Sequence, residues 1–476
     1  MRALSALALA FLGAAPRTGL LRLRFASPAV RGRLAGVRAC ASAASVWDEG
    51  AGAGEAEPLA KPATVNELDQ NVAVNNGDRW SGERATVDEL RAICDEATST
   101  REPLPIIPQW LPTPDWLWKQ WRGTIVRHVL PRDVLVVTLF ALGIVLFFHA
   151  PGVHSIYRKS LIRHLIAVER VWGLASGLVS FTLSFFLTQS YTFWREVYVI
   201  VRQVQGRLND LGLLLAASAA RDADGQYTAQ SEELLALTAR HVRLFNILLY
   251  ASLTTQFAPL RTPAGLSQLV LSGALTEEER SSLLEASTGS STVLVWLTAS
   301  VGAALDDGRI GGGGTGAAAG GAVGAHAAGL ATVLLGKLTE LRATASSIAD
   351  RLSGRMPLAY TQLVQILCDL FVLASPLALL HSVGPVGAVT GTALVTFFHR
   401  SVLNLAKVLL DPFGNMRWNV NSGISINVAT LIQETNLGSE RWRIGGNWLP
   451  RGARRTSLGA AVAESAGEPP AFRTVA

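Results

Sequence analysis

One uncharged stretch limits what this chain can fold into. Residues 171–194, VWGLASGLVSFTLSFFLTQSYTFW, contain 24 residues without a formal charge. At about 1.5 Å per residue, a helix of this length crosses a hydrocarbon core of about 30 Å. The sequence therefore predicts a membrane-spanning helix here, and the rest of the chain has to be arranged around a membrane.

This predicted helix has one face of unusual composition. Gly177, Phe181, Phe185 and Thr188 follow one another at spacings of four, four and three residues, so they share one side of the helix. Further hydroxyl side chains lie on or beside that face: Ser180, Ser184 and Thr192. Small residues let helices approach and aromatic rings constrict a passage, so the face suits the lining of a narrow pore. A helix–helix contact inside a bundle accounts for the same periodicity and is the alternative.

Other apolar segments complete a predicted all-α membrane protein. Residues 356–399 carry one charge, Asp369, in 44 residues, which suffices for two helices broken near Gly384-Pro385. The four predicted membrane helices cover about 133–150, 171–198, 356–381 and 386–405. Residues 199–255 and 263–307 have helical periodicity with charges on one face, which predicts a helical extramembrane part over 199–355 with a glycine-rich insertion at 311–324. A mean hydropathy of +0.30 fits this assignment.

The first 47 residues predict a targeting leader. A short apolar run is followed by a segment rich in Arg, Ala and Ser that contains no acid. Leaders of this bipartite kind direct proteins into complex plastids, which predicts the thylakoid or another plastid membrane. A plain chloroplast leader, or a mitochondrial one leading to the inner membrane, is the alternative.

The leader also explains the basic isoelectric point. It contains seven of the 42 Lys and Arg residues and none of the 36 Asp and Glu residues, so the remainder has 35 basic and 36 acidic residues. No basic patch indicates a nucleic-acid partner. Residues 48–105 are polar and predict a flexible linker with at most one short helix near Val87–Ala97, and residues 451–476 predict a disordered tail.

The residues give little support to enzyme chemistry. No HExxH, GxSxG or catalytic acid pair occurs, and the three cysteines have neither metal-site nor disulfide-framework spacing. We therefore expect no enzymatic activity. Asp369 is the one ionisable group well inside an apolar run. It is interpreted either as an intramembrane acid facing a polar cavity or as a structural acid, which lies near a helix end or pairs with Arg355 or Arg400.

Five short motifs, in order along the chain, resemble the bestrophin family. Residues 180–194, SFTLSFFLTQSYTFW, are similar to the pore-lining second helix of that family. The other four are similar to its W-K/R-G-S-I, G-R-I, I-P-L-V-Y-T-Q and N-P-F-G segments: Trp121–Ile125, Gly308–Ile310, Pro357–Gln362 and Asp411–Gly414. The leader adds a resemblance to an algal, organelle-targeted member. The motifs lie within about residues 121–449, and the channel domain is predicted at 106–450.

The resemblance implies a homopentameric anion channel with four membrane helices per subunit around a central pore. It places the hydrophobic neck at Gly177, Phe181 and Phe185, although Gly177 departs from the bulky apolar residue usual in the family. It adds chloride or bicarbonate as permeant ions, pore-lining roles for the hydroxyl residues of that helix, and a cytosolic aperture within Leu266–Leu275. A non-conducting membrane scaffold whose helical domain docks protein partners is the alternative.

The calcium clasp of the family is the main departure. Calcium-activated bestrophins follow the P-F-G segment with a run of acids, whereas this chain has Asn415-Met416-Arg417-Trp418-Asn419. Calcium takes several carboxylate and carbonyl oxygens, and here Asp411, Asn415 and Asn419 are left at degenerate clasp positions. The sequence therefore predicts no calcium cofactor and no other metal.

Overall fold

The computed structural model describes residues 85–107, 133–150, 158–222, 224–286, 289–311, 322–416, 424–447 and 449. All of them belong to one compact unit, Ala63–Ala476. The predicted leader, the predicted tail, Trp121–Ile125 and Asn419 lie outside the described residues.

The described residues form ten α-helices and one short 3-10 turn at Ala258–Arg261. The helices are α1 Val87–Thr98, α2 Leu135–His149, α3 Arg158–Ser218, α4 Ala229–Leu253, α5 Pro263–Leu271, α6 Glu277–Ala286, α7 Gly289–Asp306, α8 Ala322–Ser353, α9 Leu358–Leu409 and α10 Val428–Gly445. Only two isolated β-bridges accompany them in this part of the chain. The all-α class predicted from the sequence agrees with this architecture.

The 61-residue helix α3 is the axis of the fold. It begins before the predicted span of 171–198 and continues to Ser218, which is between five and six turns beyond that span. The reason is that the buried positions keep their register past the end of the uncharged stretch, with Val197, Val201, Val204 and Leu208 all buried. Helix α3 therefore joins an apolar half to an amphipathic half without a break.

Helix α9 is a hairpin of two antiparallel arms. Gly384 has φ 73° and ψ −177°, a conformation that is essentially restricted to glycine, and Pro385 starts the second arm. The break predicted near these two residues lies at this position. Trp172 of α3 stacks on Phe371 of the first arm with ring centroids 4.7 Å apart, and its Nε1 donates to the Phe371 carbonyl at 3.0 Å. The first arm is thereby fixed against α3.

Three of the described helices, α3, α4 and α9, are long and apolar enough to cross a membrane, and α2 is a shorter apolar helix. Burial separates them. Within the most apolar window, 78% of α4 is buried inside the chain, against 17% of α3. Helix α4 is therefore an interior helix of the part predicted to lie outside the membrane, and it packs against α7, α10 and the 3-10 turn. Helix α3 leaves most of its apolar surface uncovered.

The N-terminal described segment is docked onto this core. Helix α1 starts with a capping box between Thr86 and Glu89, and it buries Cys94 and Ala97. The Asn436 side chain of α10 donates to the carbonyls of Ala97 and Ser99 at 2.9 Å each. The range predicted as a flexible linker, 48–105, therefore includes helix α1, which is packed against the core. The predicted insertion at 311–324 likewise overlaps the start of α8 at Ala322.

Candidate pore-lining surface

A continuous row of side chains on α3 is not covered by the rest of the chain. We call it the α3 stripe. Its members follow one another at steps of three, four or seven residues, so they lie on one side of the helix, and each is exposed. They are Arg163, Arg170, Leu174, Gly177, Phe181, Phe185, Thr188, Thr192, Arg195, Val199, Arg202 and Gly206. The opposite side of α3 is packed into the core, so the stripe is the free face of an otherwise fixed helix.

The predicted neck residues lie in the middle of the stripe. Phe181 is 72% exposed and Phe185 is 48% exposed, whereas the adjacent Phe186 is fully buried and contacts Tyr360 edge-on. A Cβ atom added at Gly177 would meet nothing within 4 Å. Consecutive neck positions are four residues apart, so they are separated by about 6 Å along the helix. Three open positions thus form one short apolar segment of the surface.

The hydroxyl side chains beyond the neck are turned toward their own helix. The Thr188 hydroxyl donates to the Ser184 carbonyl at 2.9 Å, and the Thr192 hydroxyl donates to the Thr188 carbonyl at 3.0 Å. Since each hydroxyl has one proton, these groups present oxygen lone pairs to the surface in this geometry. Ser184 borders the stripe. Ser180 is also exposed, but it lies about a quarter turn away from the line of the neck residues.

Asp369 is engaged in a polar network between the arms of α9. Arg400 donates to it at 2.9 Å, and Gln365 donates to both carboxylate oxygens at 2.8 and 2.7 Å. Lys407 donates in turn to the Gln365 side-chain oxygen. Of the two interpretations of Asp369, pairing with Arg400 describes this structure. The network ties the hairpin together and places no acid on the α3 stripe.

The residues after α9 do not fit a calcium clasp. The buried Asp411 carboxylate accepts the backbone N–H groups of Asn415 at 3.1 Å and Met416 at 2.8 Å. The Asn415 side chain accepts the Thr255 N–H and donates to the Leu253 carbonyl, both at 3.0 Å. The described residues contain no group of three or more His, Cys, Asp or Glu side chains suited to a metal ion. Asp411 closes its own loop instead.

The segment predicted to hold the aperture contains both buried and exposed leucines. Leu266, Leu269 and Leu275 are buried, and only Leu271 among these leucines is exposed. The arginines of the α3 stripe were not selected from the sequence as functional residues. Their signal was present, because Arg170 and Arg195 are the charges that bound the uncharged stretch on either side.

Comparison with known proteins gives one family match. The family described as Bacterial/Fungal Bestrophin protein matches residues 110–421. A search of curated proteins finds no match.

The chain also resembles several solved structures. A bacterial Bestrophin homolog from Klebsiella pneumoniae, in a mutant form, has 17% identity and a TM-score of 0.49, covering 67% of this chain and 99% of that one. The homolog phased with zinc has 17% identity and a TM-score of 0.48, covering 68% and 100%. A variant described as a membrane protein has 18% identity and a TM-score of 0.48, covering 69% and 100%.

Proposed function

The chain belongs to the bestrophin family, and from this premise we propose that it is an anion channel in which several copies surround a pore lined by the α3 stripe. The resemblance drawn from the five motifs is confirmed at the level of the family. We further propose five copies, as the resemblance implies, with chloride or bicarbonate as the permeant ions. The leader supports an organelle membrane, with a plastid preferred.

The α3 stripe is the observation that carries this proposal. Between Arg170 and Arg195 it changes from apolar and aromatic residues to hydroxyls along one line, and charged residues lie at both ends. Lipid alone would be a poor cover for the charged part, and water alone would be a poor cover for two exposed phenylalanines. A ring of copies around an axis satisfies both parts, because cyclic symmetry brings the phenylalanines of all copies together in an apolar constriction and places the charged positions around an aqueous pathway.

The chemistry of the neck favours anions. Phe181 and Phe185 are open to the surface, and aromatic ring edges are electropositive. Rings of such edges tolerate a partly dehydrated anion, while the apolar constriction disfavours a continuous water column. Gly177 widens one end of this segment because it supplies no side chain.

Bilayer recording of the purified full chain tests the proposal. Under a chloride gradient we expect a current whose reversal potential follows chloride. Replacing Gly177 with Trp should block the current without disturbing packing, because the space around Gly177 is open. Gly143→Trp is the matched control, since Gly143 is an equally open glycine on α2.

Two results would contradict the proposal. A wild-type protein that assembles in the membrane but carries no anion current would favour the scaffold alternative. Equal currents in the Gly177→Trp and Gly143→Trp variants would show that another surface lines the pathway.

A further inference from the structure

Arginines lie on the α3 stripe at both ends of the uncharged stretch. Arg170 precedes the stretch and Arg195 follows it. They are 25 residues apart, which is about seven helical turns, so they lie on the same face about 38 Å from each other. Arginines that only anchor a helix in the lipid headgroups do not need to lie on the same face of the helix.

The two arginines lie at opposite ends of the membrane helices. The Glu169 carboxylate, beside Arg170, lies 3.5 Å from the His381 ring near the tip of the α9 hairpin. Glu196, beside Arg195, pairs with Arg351 near the end of α8 in the extramembrane part. Each end of the stripe is therefore fixed to a different part of the molecule.

These same contacts leave Arg170 and Arg195 available. The neighbouring acids Glu169 and Glu196 point to other partners, and neither arginine has an ion-pair partner among the described residues. Arg202, two steps further along the stripe, differs because it pairs with Glu434 at 2.6 Å. Arg170 and Arg195 are thus unpaired positive charges of the stripe on the two sides of the neck, about 10 Å along the helix from Gly177 and about 15 Å from Phe185.

The two guanidinium groups also offer hydrogen-bond donors on the stripe that the threonines beside the neck do not offer. The Thr188 and Thr192 hydroxyl protons are donated to backbone carbonyls. An arginine offers five donors and a permanent charge. An anion approaching the neck from either side therefore meets arginine before it meets a group that must break an internal hydrogen bond.

We propose that Arg170 and Arg195 form two rings of positive charge, one at each mouth of the neck, that concentrate small anions and exclude cations. The inference rests on the proposed pore. Clustered charge of one sign raises the local concentration of the opposite ion, and salt screens the effect over about 8 Å at physiological ionic strength. Each ring acts mainly on ions that enter from its own side.

Single-channel recordings of Arg170→Gln and Arg195→Gln test the two rings. At low chloride concentration, each variant should lose current for anions entering from its own side, by about twofold or more. The ratio of currents at opposite voltages should therefore depart from the wild-type ratio in each single variant. In the double variant both directions of current should be reduced. The ratio should therefore return toward the wild-type ratio, because the two substitutions shift it in opposite directions. High salt should reduce all of these differences.

Two further variants separate charge from structure. Arg170→Lys and Arg195→Lys should keep the wild-type ratio, since they keep the charge. Arg91→Gln removes one exposed positive charge from α1 and should also leave the ratio unchanged. Two results would overturn the two-ring proposal while the channel assignment stands. In the first, both single Gln variants keep the wild-type ratio of currents at opposite voltages. In the second, the ratio in the double variant departs from the wild-type ratio by more than it does in either single variant. Absence of anion current in the wild-type protein would overturn both.

Discussion

At the residue scale, Glu279 of α6 is a partly buried acid with several polar contacts. Arg240 donates to both of its carboxylate oxygens, His241 Nε2 lies 2.8 Å from Oε1, and the Thr276 N–H lies 2.9 Å from Oε2. Burial alone would raise the pKa of this carboxyl. The hydrogen bonds from His241, Arg240 and the Thr276 backbone outweigh burial and hold the pKa well below its ordinary value. Glu279 thus fastens the start of α6 to α4.

Replacing Glu279 with Gln should therefore destabilise the fold by about 3 kcal/mol at neutral pH, because Arg240 would lose its partner in a partly buried site. Glu278→Gln is the matched control, since Glu278 is the exposed neighbour. Thermal unfolding in detergent would measure both.

The same carboxyl predicts a pH dependence. A carboxyl whose pKa is lowered in the folded state stabilises the fold fully at pH values above the pKa of the unfolded state, 4.5, and this stabilisation is lost as the pH falls below 4.5. The gap between wild type and Glu279→Gln should then narrow below pH 4.5; equal stability of the two Gln variants would contradict the assignment.

Asp411 leads to a prediction about calcium. Both of its oxygens already accept backbone N–H groups, and calcium would have to displace these bonds without help from neighbouring acids. We expect the anion current of the reconstituted protein to be the same in calcium and in excess chelator. A current that chelator abolishes and calcium restores would show a calcium site that this loop does not explain.

At the scale of elements, α3 shows what hydropathy can and cannot predict. The uncharged stretch identified the membrane part, but hydropathy falls at Arg195 while the helix continues. Helix ends depend on backbone hydrogen bonds and caps, and the buried row through Val197 and Val201 supplies a reason to continue. The break at Gly384 was predictable because glycine and proline act locally. The Asp369–Arg400 pair was only one of several options, since it joins positions 31 residues apart.

The neck assignment predicts opposite results for neighbouring phenylalanines. Replacing Phe181 and Phe185 together with Ala should widen and wet the constriction, so the anion current should rise while assembly persists. Phe186→Ala is the control, because this fully buried ring fills the contact with Tyr360. Its loss should cost about 3–5 kcal/mol and reduce the amount of folded protein. Current and oligomer content should be measured on the same preparations; intact assemblies with unchanged conductance in the Phe181/Phe185 variant would remove these residues from the neck.

At the scale of the whole molecule, the face of α3 and its surroundings were predictable to different degrees. Helical periodicity alone grouped Gly177, Phe181, Phe185 and Thr188, because the period of a helix is fixed. Which side of α3 the chain itself covers depends on where α8, α9 and α10 pack, and periodicity carries no information on that. The leucines of the predicted aperture illustrate this, since most of them turn into the core.

Self-assembly should enclose the α3 stripe while keeping it wet. Thr192 is exposed on the stripe, whereas Ser190, two residues away, is fully buried. In the assembled channel, Thr192→Cys should react with a small anionic thiol reagent and the current should change, whereas Ser190→Cys should stay unreactive. The native Cys94 and Cys368 are both buried, so they add little background, and Cys40 would be replaced by Ser in every variant. Native mass spectrometry of the same samples should give five chains per particle. A contradicting result would be a pentamer in which a bulky thiol reagent reacts at Thr192→Cys as fast as the small one. This would place the stripe on the outside of the assembly, and the pore would have to lie elsewhere.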